Sequence, residues 1–248
     1  MRFNELDARM RSLEYFHQVK VPPGCWTVLR LDGRGFSRFT AERFDKPFDA
    51  RFREAMVTTA ERLMQEFPVV YGYTESDEIS LLLVRDWDFF DRELEKVISL
   101  SAATASACFS LAVGCEATFD SRVWMAAETE TVVDYFRWRQ ADAARCALNG
   151  WAYWVLRGEG LNARQATARL AGASRADKNE LLHQRGVNFN EVPLWQRRGT
   201  GLGWESYDKP GFNPLTGQAV TAQRRRLRRY DDLPMKEGYA EFIRELIA

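Results

Sequence analysis

The stretch Val69-Val70-Tyr71-Gly72-Tyr73-Thr74-Glu75-Ser76-Asp77-Glu78-Ile79-Ser80-Leu81-Leu82-Leu83-Val84 decides the fold. Residues 69–73 and 78–84 are rich in β-branched, aromatic and aliphatic side chains. The Thr-Glu-Ser-Asp between them is turn chemistry, so the stretch reads as a β-hairpin. In the second arm, Ile79, Leu81 and Leu83 alternate with Ser80, Leu82 and Val84. Both faces are largely apolar, which suits a central strand covered on each side. Upstream, residues 26–31 read as another strand, closed by Asp32-Gly33. Acids thus stand at the end of one strand (Asp32) and at the tip of a hairpin (Asp77, Glu78).

Helical periodicity surrounds these strands. Phe48, Phe52, Met56, Ala60, Leu63 and Phe67 recur at steps of three or four, and Pro68 ends the run. Residues 93–113 form a helix of small residues, and 130–157 a long one carrying Val133, Phe136, Leu148, Trp151 and Val155. Gly150 inside it costs about 1 kcal/mol relative to Ala. Shorter helices are expected at 5–16, where Leu6, Met10, Leu13 and Phe16 share a face, and at 173–184. Residues 121–125 suggest a strand. Residues 195–207 and 218–230 read as two extended arms around Pro210, Gly211, Asn213, Pro214 and Gly217. The expected class is α+β: a core over 1–140, then a helical and β-ribbon extension over 141–248.

The bulk numbers exclude several classes. Lys plus Arg and Asp plus Glu both total 35, so any nucleic-acid binding must come from a local patch. The four cysteines (25, 108, 115, 146) form no CxxC pair and only two histidines are present, which argues against zinc. Cys108 and Cys146 lie in apolar or small-residue helical stretches and are expected to be buried free thiols. The polar N-terminal stretch is no secretory signal, and no apolar run long enough to span a membrane is expected. A reducing, cytoplasmic setting follows as the expectation.

Two carboxylates from separate strands are what a two-metal phosphoryl-transfer site requires. Mg²⁺ takes hard oxygen ligands, commonly one or two carboxylates plus substrate phosphates. Two such ions clamp the attacking and leaving oxygens of an in-line displacement. Gly33 would permit close backbone approach, and Arg34, Lys46 and Ser76 would supply donors. Spacing alone leaves the alternative open, since Asp before Gly is also ordinary turn chemistry and an acidic tip can simply be solvated.

The wording of the segments goes further. Arg30-Leu31-Asp32-Gly33-Arg34-Gly35-Phe36-Ser37-Arg38-Phe39 resembles the first metal motif of the tRNA-histidine guanylyltransferase family, and Tyr73-Thr74-Glu75-Ser76-Asp77-Glu78-Ile79-Ser80 its second. Lys46-Pro47-Phe48-Asp49 lies between, like that family's lysine-bearing segment. Trp138-Arg139-Gln140-Ala141-Asp142, Ala176-Asp177-Lys178-Asn179-Glu180, Asn188-Phe189-Asn190-Glu191-Val192-Pro193 and Arg197-Arg198-Gly199-Thr200 follow in the family's order. The resemblance implies a core like the palm of template-dependent polymerases and nucleotidyl cyclases, an antiparallel sheet with helices. It implies Mg²⁺-dependent addition of nucleotides to tRNA 5′ ends in the 3′-to-5′ direction, after activation of a 5′-monophosphate with ATP. Asp32, Asp77 and Glu78 would be catalytic, and Asp32, Asp77 and the Gly33 carbonyl would hold two Mg²⁺ ions. Nucleotide contacts, to ATP, GTP or another triphosphate, are implied for Gly33, Arg34, Gly35, Phe36, Lys46 and Ser76. A homotetramer is implied as well.

One segment departs from the pattern. Where the guanylyltransferases proper carry His-Ile-Asn-Asn-Leu-Tyr-Asn, this chain reads Ala144-Arg145-Cys146-Ala147-Leu148-Asn149-Gly150. Ala144 takes the histidine position. This looks like the guanylyltransferase-like branch, which repairs truncated tRNA 5′ ends against the tRNA's own template. It favours templated repair over dedicated guanosine addition to tRNA-histidine. Arg225 and Arg228, within the Arg-rich run 224–229, and Arg197 and Arg198 are the RNA-contact candidates, although Arg stems also cover apolar surface. Trp195, Trp204 and Tyr207 are expected mainly to pack. Competing readings are a nucleotidyl cyclase, which shares the two-metal logic, and a tRNA-binding factor without catalysis.

Overall fold

The computed structural model describes residues 2–212, 215 and 217–247. Asn213 and Pro214 of the expected turn lie outside the described residues. Among the described residues six strands form one antiparallel sheet: β1 (Trp26–Gly33), β2 (Val69–Glu75), β3 (Glu78–Leu83), β4 (Phe119–Ala126), β5 (Thr200–Phe212) and β6 (Ala219–Tyr230), in the order β4-β1-β3-β2-β5-β6. The expected hairpin is β2–β3, and it occupies the two central positions.

Alternation sends each strand's side chains to two different cores. Leu29, Leu31, Ile79, Leu81 and Leu83 face α3 (Ala50–Glu66) and α4 (Leu94–Val113), with Phe36, Met56, Leu63 and Phe109 packed among them. Trp26, Val28, Tyr71, Tyr73 and Leu82 face the first half of α5 (Thr129–Gly158) and α9 (Glu237–Ile247). The second half of α5 leaves the sheet. Its Leu148, Ala152 and Leu156 build a third core with α6 (Ala163–Leu170) and α7 (Arg175–His183). Residue 140 falls inside α5, and β5 hydrogen-bonds to β2 over residues 200–203. Beyond Gly203, β5 pairs with β6 alone, so the arms form a projecting ribbon.

Several expectations change. Residues 195–198 are helical, in α8 (Leu194–Arg198), not extended, with Pro193 as the extended residue just before the helix. The N-terminal helix α1 spans Phe3–Arg11 and buries nothing, leaving Leu6, Met10, Leu13 and Phe16 exposed. α4 is long and apolar enough to cross a membrane by length and composition, contrary to expectation. It lies instead on the sheet, where Ser101 Oγ donates to Ser121 Oγ (2.8 Å) and Ser106 Oγ accepts from the Phe119 amide (2.9 Å). No cysteine is fully buried, and Cys146 is exposed, because α5 turns that face away from its core.

Candidate active site

The two acids meet because of the sheet register. Asp32 pairs with Glu78 across β1 and β3, and the Gly33 amide donates to the Asp77 carbonyl at 3.0 Å. Ser76, at φ 47°, supplies the left-handed corner that turns the hairpin. The Asp77 carboxyl is raised, first by burial and then by the charge of Asp32, against a lowering pull from Lys46. Two mutually repelling carboxylates beside a backbone carbonyl are an all-oxygen donor set, the chemistry that suits Mg²⁺ with substrate phosphates completing the shell. Among the described residues no group of three or more His, Cys, Asp and Glu side chains is arranged to hold a metal. A cation bound here would therefore depend on substrate and water for most of its ligands.

Glu78 shares Asp32's face of the sheet, but its carboxylate is taken by an arginine. It stands on the α5 face of the sheet, where Arg139 donates through Nε to Glu78 Oε1 (2.7 Å) and through Nη2 to Oε2 (2.9 Å). The same guanidinium reaches Glu75 (3.2 Å) and Asp142 (3.3 Å), and its side chain is only 7% exposed. Burial pushes the Glu75 carboxyl up to about 8 and raises Glu78, with Arg139 lowering both. Arg139 thus ties together the two strand ends flanking Ser76 and Asp77.

Beside the tip lies a cavity of about 460 Å³, within the range of small-molecule sites. Phe36, Lys46, Ser76 and Asp77 line it, whereas Asp32, Gly33, Arg34, Gly35 and Glu78 do not. Lys46 is delivered by a fixed loop. The buried Asp49 carboxylate caps α3, accepting from the Arg51 amide (2.7 Å), the Asp45 amide (2.9 Å) and Arg51 Nη2 (2.5 Å). Lys46 Nζ donates to Thr40 Oγ1 at 2.5 Å and stands 5.7 Å from the Trp154 ring centroid. Its ammonium is lowered by burial, with Asp77 and Asp49 opposing.

Other candidates are placed differently. The space beside Gly33 is taken by the Phe36 ring, 2.4 Å from where a Cβ would stand, so the glycine serves internal packing. Arg34 is exposed and its amide donates to the Thr118 carbonyl (2.8 Å). Gly35, at φ 73°, is the N-cap of α2 (Phe36–Arg43). Arg198 donates to the Leu233 carbonyl (2.7 Å), and Arg197 lies against Phe189, so both are partly committed to packing. Arg225 and Arg228 are exposed on opposite faces of the ribbon, over Trp204 (4.4 Å) and Tyr230 (5.0 Å). Arg229 instead grips Glu54 and Glu61 of α3. Asp177 forms a capping box with Ser174. The sequence reading quoted Arg139 and Glu75 only within family-like segments and gave them no role; they lie about 60 residues apart, beyond any local pattern.

Comparison with known proteins gives the family. The sequence profile described as tRNAHis guanylyltransferase matches residues 7–127, and that of the Thg1 C-terminal domain matches 130–236. A probable tRNA(His) guanylyltransferase from Mus musculus is 34% identical over 215 residues, 80% of this chain and 72% of that protein. A tRNA(His) guanylyltransferase from Debaryomyces hansenii is 32% identical over 82% of this chain and 84% of its own. A bacterial tRNA(His) guanylyltransferase (Thg1)-like protein, solved with ATP, superposes with a TM-score of 0.80 at 25% identity, covering 98% and 99% of the two chains. A related complex with GTP gives a TM-score of 0.74 at 26% identity, over 98% and 99% of the chains. The chain belongs to the tRNA(His) guanylyltransferase family and is a nucleotidyltransferase.

Proposed function

We propose that this protein is a Mg²⁺-dependent 3′-to-5′ nucleotidyltransferase that repairs truncated tRNA 5′ ends, copying the opposing strand after ATP-dependent activation of a 5′-monophosphate. The observation that carries the reading is the convergence of Asp32 and Asp77 beside a nucleotide-sized cavity that presents Lys46 and Ser76. Asp32, Asp77 and the Gly33 carbonyl would hold the ions. When bound, Mg²⁺ supplies charge neutralisation and lowers the pKa of an attacking hydroxyl. Asp49 fixes the loop that presents Lys46, whose ammonium compensates phosphate charge. Ser76 offers a hydroxyl at the hairpin tip. Arg139 keeps Glu75 and Glu78 in place, so Asp77 stays beside Asp32. Residues 1–140 would carry the chemistry and 141–248 would engage tRNA, with Arg225 and Arg228 contacting phosphates from an exposed ribbon. A cytoplasmic homotetramer is the working form in this reading.

Ala144 supports templated repair, because the helix position that carries a histidine in dedicated guanosine addition holds a methyl group here. The names of the relatives favour the second reading, dedicated guanosine addition to tRNA(His). The test is incubation with Mg²⁺, ATP, labelled nucleoside triphosphates and a tRNA lacking its first 5′ nucleotide. Extension by one nucleotide, lost in Asp32→Ala and Asp77→Ala, is the expected result. Accumulation of a cyclic nucleotide with unchanged RNA would instead indicate a cyclase. Binding of tRNA without either product would indicate a non-catalytic factor.

A further inference from the structure

Among the described residues, two apolar surfaces have no cover. The first is the outer face of α4. Residues 97–114 carry no charged side chain, yet only 22% of the helix's most apolar stretch is buried. Its buried positions are Val97, Ser101, Ala105 and Phe109. Turned away from them, Leu100, Ala103, Ala107 and Leu111 are exposed, Leu111 to 84%. Steps of three, four and four keep these residues on one line, about 16 Å long. Polar groups border it: Thr104 donates to Glu66 of α3 at 3.1 Å, and Glu66 pairs with Arg62 at 2.6 Å. The second surface is α1, which buries none of its residues and exposes Phe3, Leu6 and Met10. A helix of nine residues is too short to hold by itself in water, so α1 needs a surface to pack on. The segment that follows it is anchored at the start of α4. There the Leu94 amide donates to the Val19 carbonyl and the Val21 amide to the Arg92 carbonyl, both at 2.9 Å.

We propose that α4 forms a two-fold contact between two copies of this chain, the helices running antiparallel along Leu100, Ala103, Ala107 and Leu111, with each α1 lying across its partner. The inference rests on the homo-oligomeric part of the reading above and not on its chemistry. It assigns one of the two interfaces that a tetramer built on two-fold axes needs. The line is self-complementary. Turned end for end, Leu100 meets the partner's Leu111, and Ala103 meets the partner's Ala107. Large residues thus close the two ends, and small ones let the helix axes approach in the middle. A contact between identical surfaces requires this reciprocity. The charges agree. Lys96 stands on the same line, one turn before Leu100, and Glu116 follows the helix end, whereas Glu95 lies on another side of the helix. An antiparallel pair sets Lys96 beside the partner's Glu116; a parallel pair would set like charges together. The same arrangement brings the partner's Leu111 to the start of α4, where the N-terminal segment is anchored. It offers Leu6 and Met10 an apolar surface, so one symmetric contact covers both exposed faces.

The experiment is sedimentation equilibrium of the full chain, with thermal unfolding of each protein as a folding control. The proteins are the wild type, Leu111→Glu, Met10→Glu, Lys96→Glu, Glu116→Lys and the double variant Lys96→Glu with Glu116→Lys. The wild type should sediment as a tetramer. Leu111→Glu, at an exposed position, should keep its fold and halve the mass, raising the dissociation constant of this contact at least about 30-fold. Met10→Glu should weaken the assembly in the same direction; an unaffected mass would overturn the placement of α1. Each charge reversal alone should weaken the contact by up to about 5-fold, and the double variant should regain the wild-type affinity. An unchanged mass in Leu111→Glu would leave the α4 face to a different occupant, such as an unlike protein, and overturn the proposal. A double variant no tighter than its singles would overturn the antiparallel pairing. A monomeric wild type would overturn the oligomeric reading itself. If Leu111→Glu unfolds, the charge-reversal set decides.

Discussion

Replacing Arg139 with Met tests what holds the hairpin tip. The guanidinium is almost wholly buried and serves Glu78 bidentately, Glu75 and Asp142. Methionine fills similar volume but leaves two buried carboxylates without their cation. Removing one partner of a buried ion pair costs about 3–5 kcal/mol. For a domain of this size that lowers Tm by about 6–20 °C. The pH dependence has a definite sign. Glu75 is raised from 4.5 to about 8 by burial, then by the charge of Glu78, with Arg139 pulling it down. Glu78 is raised for the same leading reason. An acid with a raised folded pKa contributes stability that is full below its unfolded value and lost as pH rises through the folded one. Without Arg139 both folded values climb further. The deficit of Arg139→Met against wild type should therefore widen between pH 5 and pH 8 through Glu78, while Glu75, protonated in both folded proteins up to about pH 8, widens it only above that. Urea titrations of both proteins at the two pH values measure it. A deficit under about 1 kcal/mol at pH 8, or one that shrinks as pH rises, would refute the role assigned to Arg139.

Other substitutions separate chemistry from folding. Asp77→Asn should abolish extension yet leave the metal-free Tm equal or higher, because it removes a buried carboxylate repelled by Asp32; a large drop in Tm would make Asp77 structural. Gly150→Ala should raise stability by about 0.5–1 kcal/mol in a thermal melt, since a Cβ there meets nothing within 4 Å; destabilisation would mean that the helix needs the glycine. Arg225→Ala with Arg228→Ala should weaken tRNA binding and flatten the plot of log affinity against log salt by about two units, whereas Arg229→Ala should lower stability by loosening the ribbon from α3. An unchanged salt slope would assign Arg225 and Arg228 to the fold.

The parts legible in the sequence were those with local periodic signals. The 69–84 hairpin, β1, α3 and α5 declare themselves by alternation or helical spacing, and a central strand with two apolar faces has few other places to go. Residues 237–247 carried the same kind of signal in Tyr239, Phe242, Ile243 and Leu246, but the short stretch after the ribbon went unread. α2 is short, and its Phe36 and Phe39 were absorbed into a motif reading. Gly33 was read as room for substrate, yet a ring three residues later fills that room. Arg139 was quoted within a family segment, but its role was illegible for a different reason. That role depends on which elements meet α5, and nothing in a linear stretch records it. The family resemblance carried the metal assignment further than spacing did, and Asp32 and Asp77 do lie together.

The most direct measurement uses four versions of one tRNA that lack the first 5′ nucleotide and differ only in the opposing base. Each is incubated with Mg²⁺, ATP and all four nucleoside triphosphates, and the added nucleotide is sequenced. The expected result is that the addition follows the opposing base in all four and disappears in Asp32→Ala and Asp77→Ala. Addition of guanosine regardless of that base, or extension that persists without either acid, would contradict a templated, carboxylate-dependent 5′-end repair enzyme.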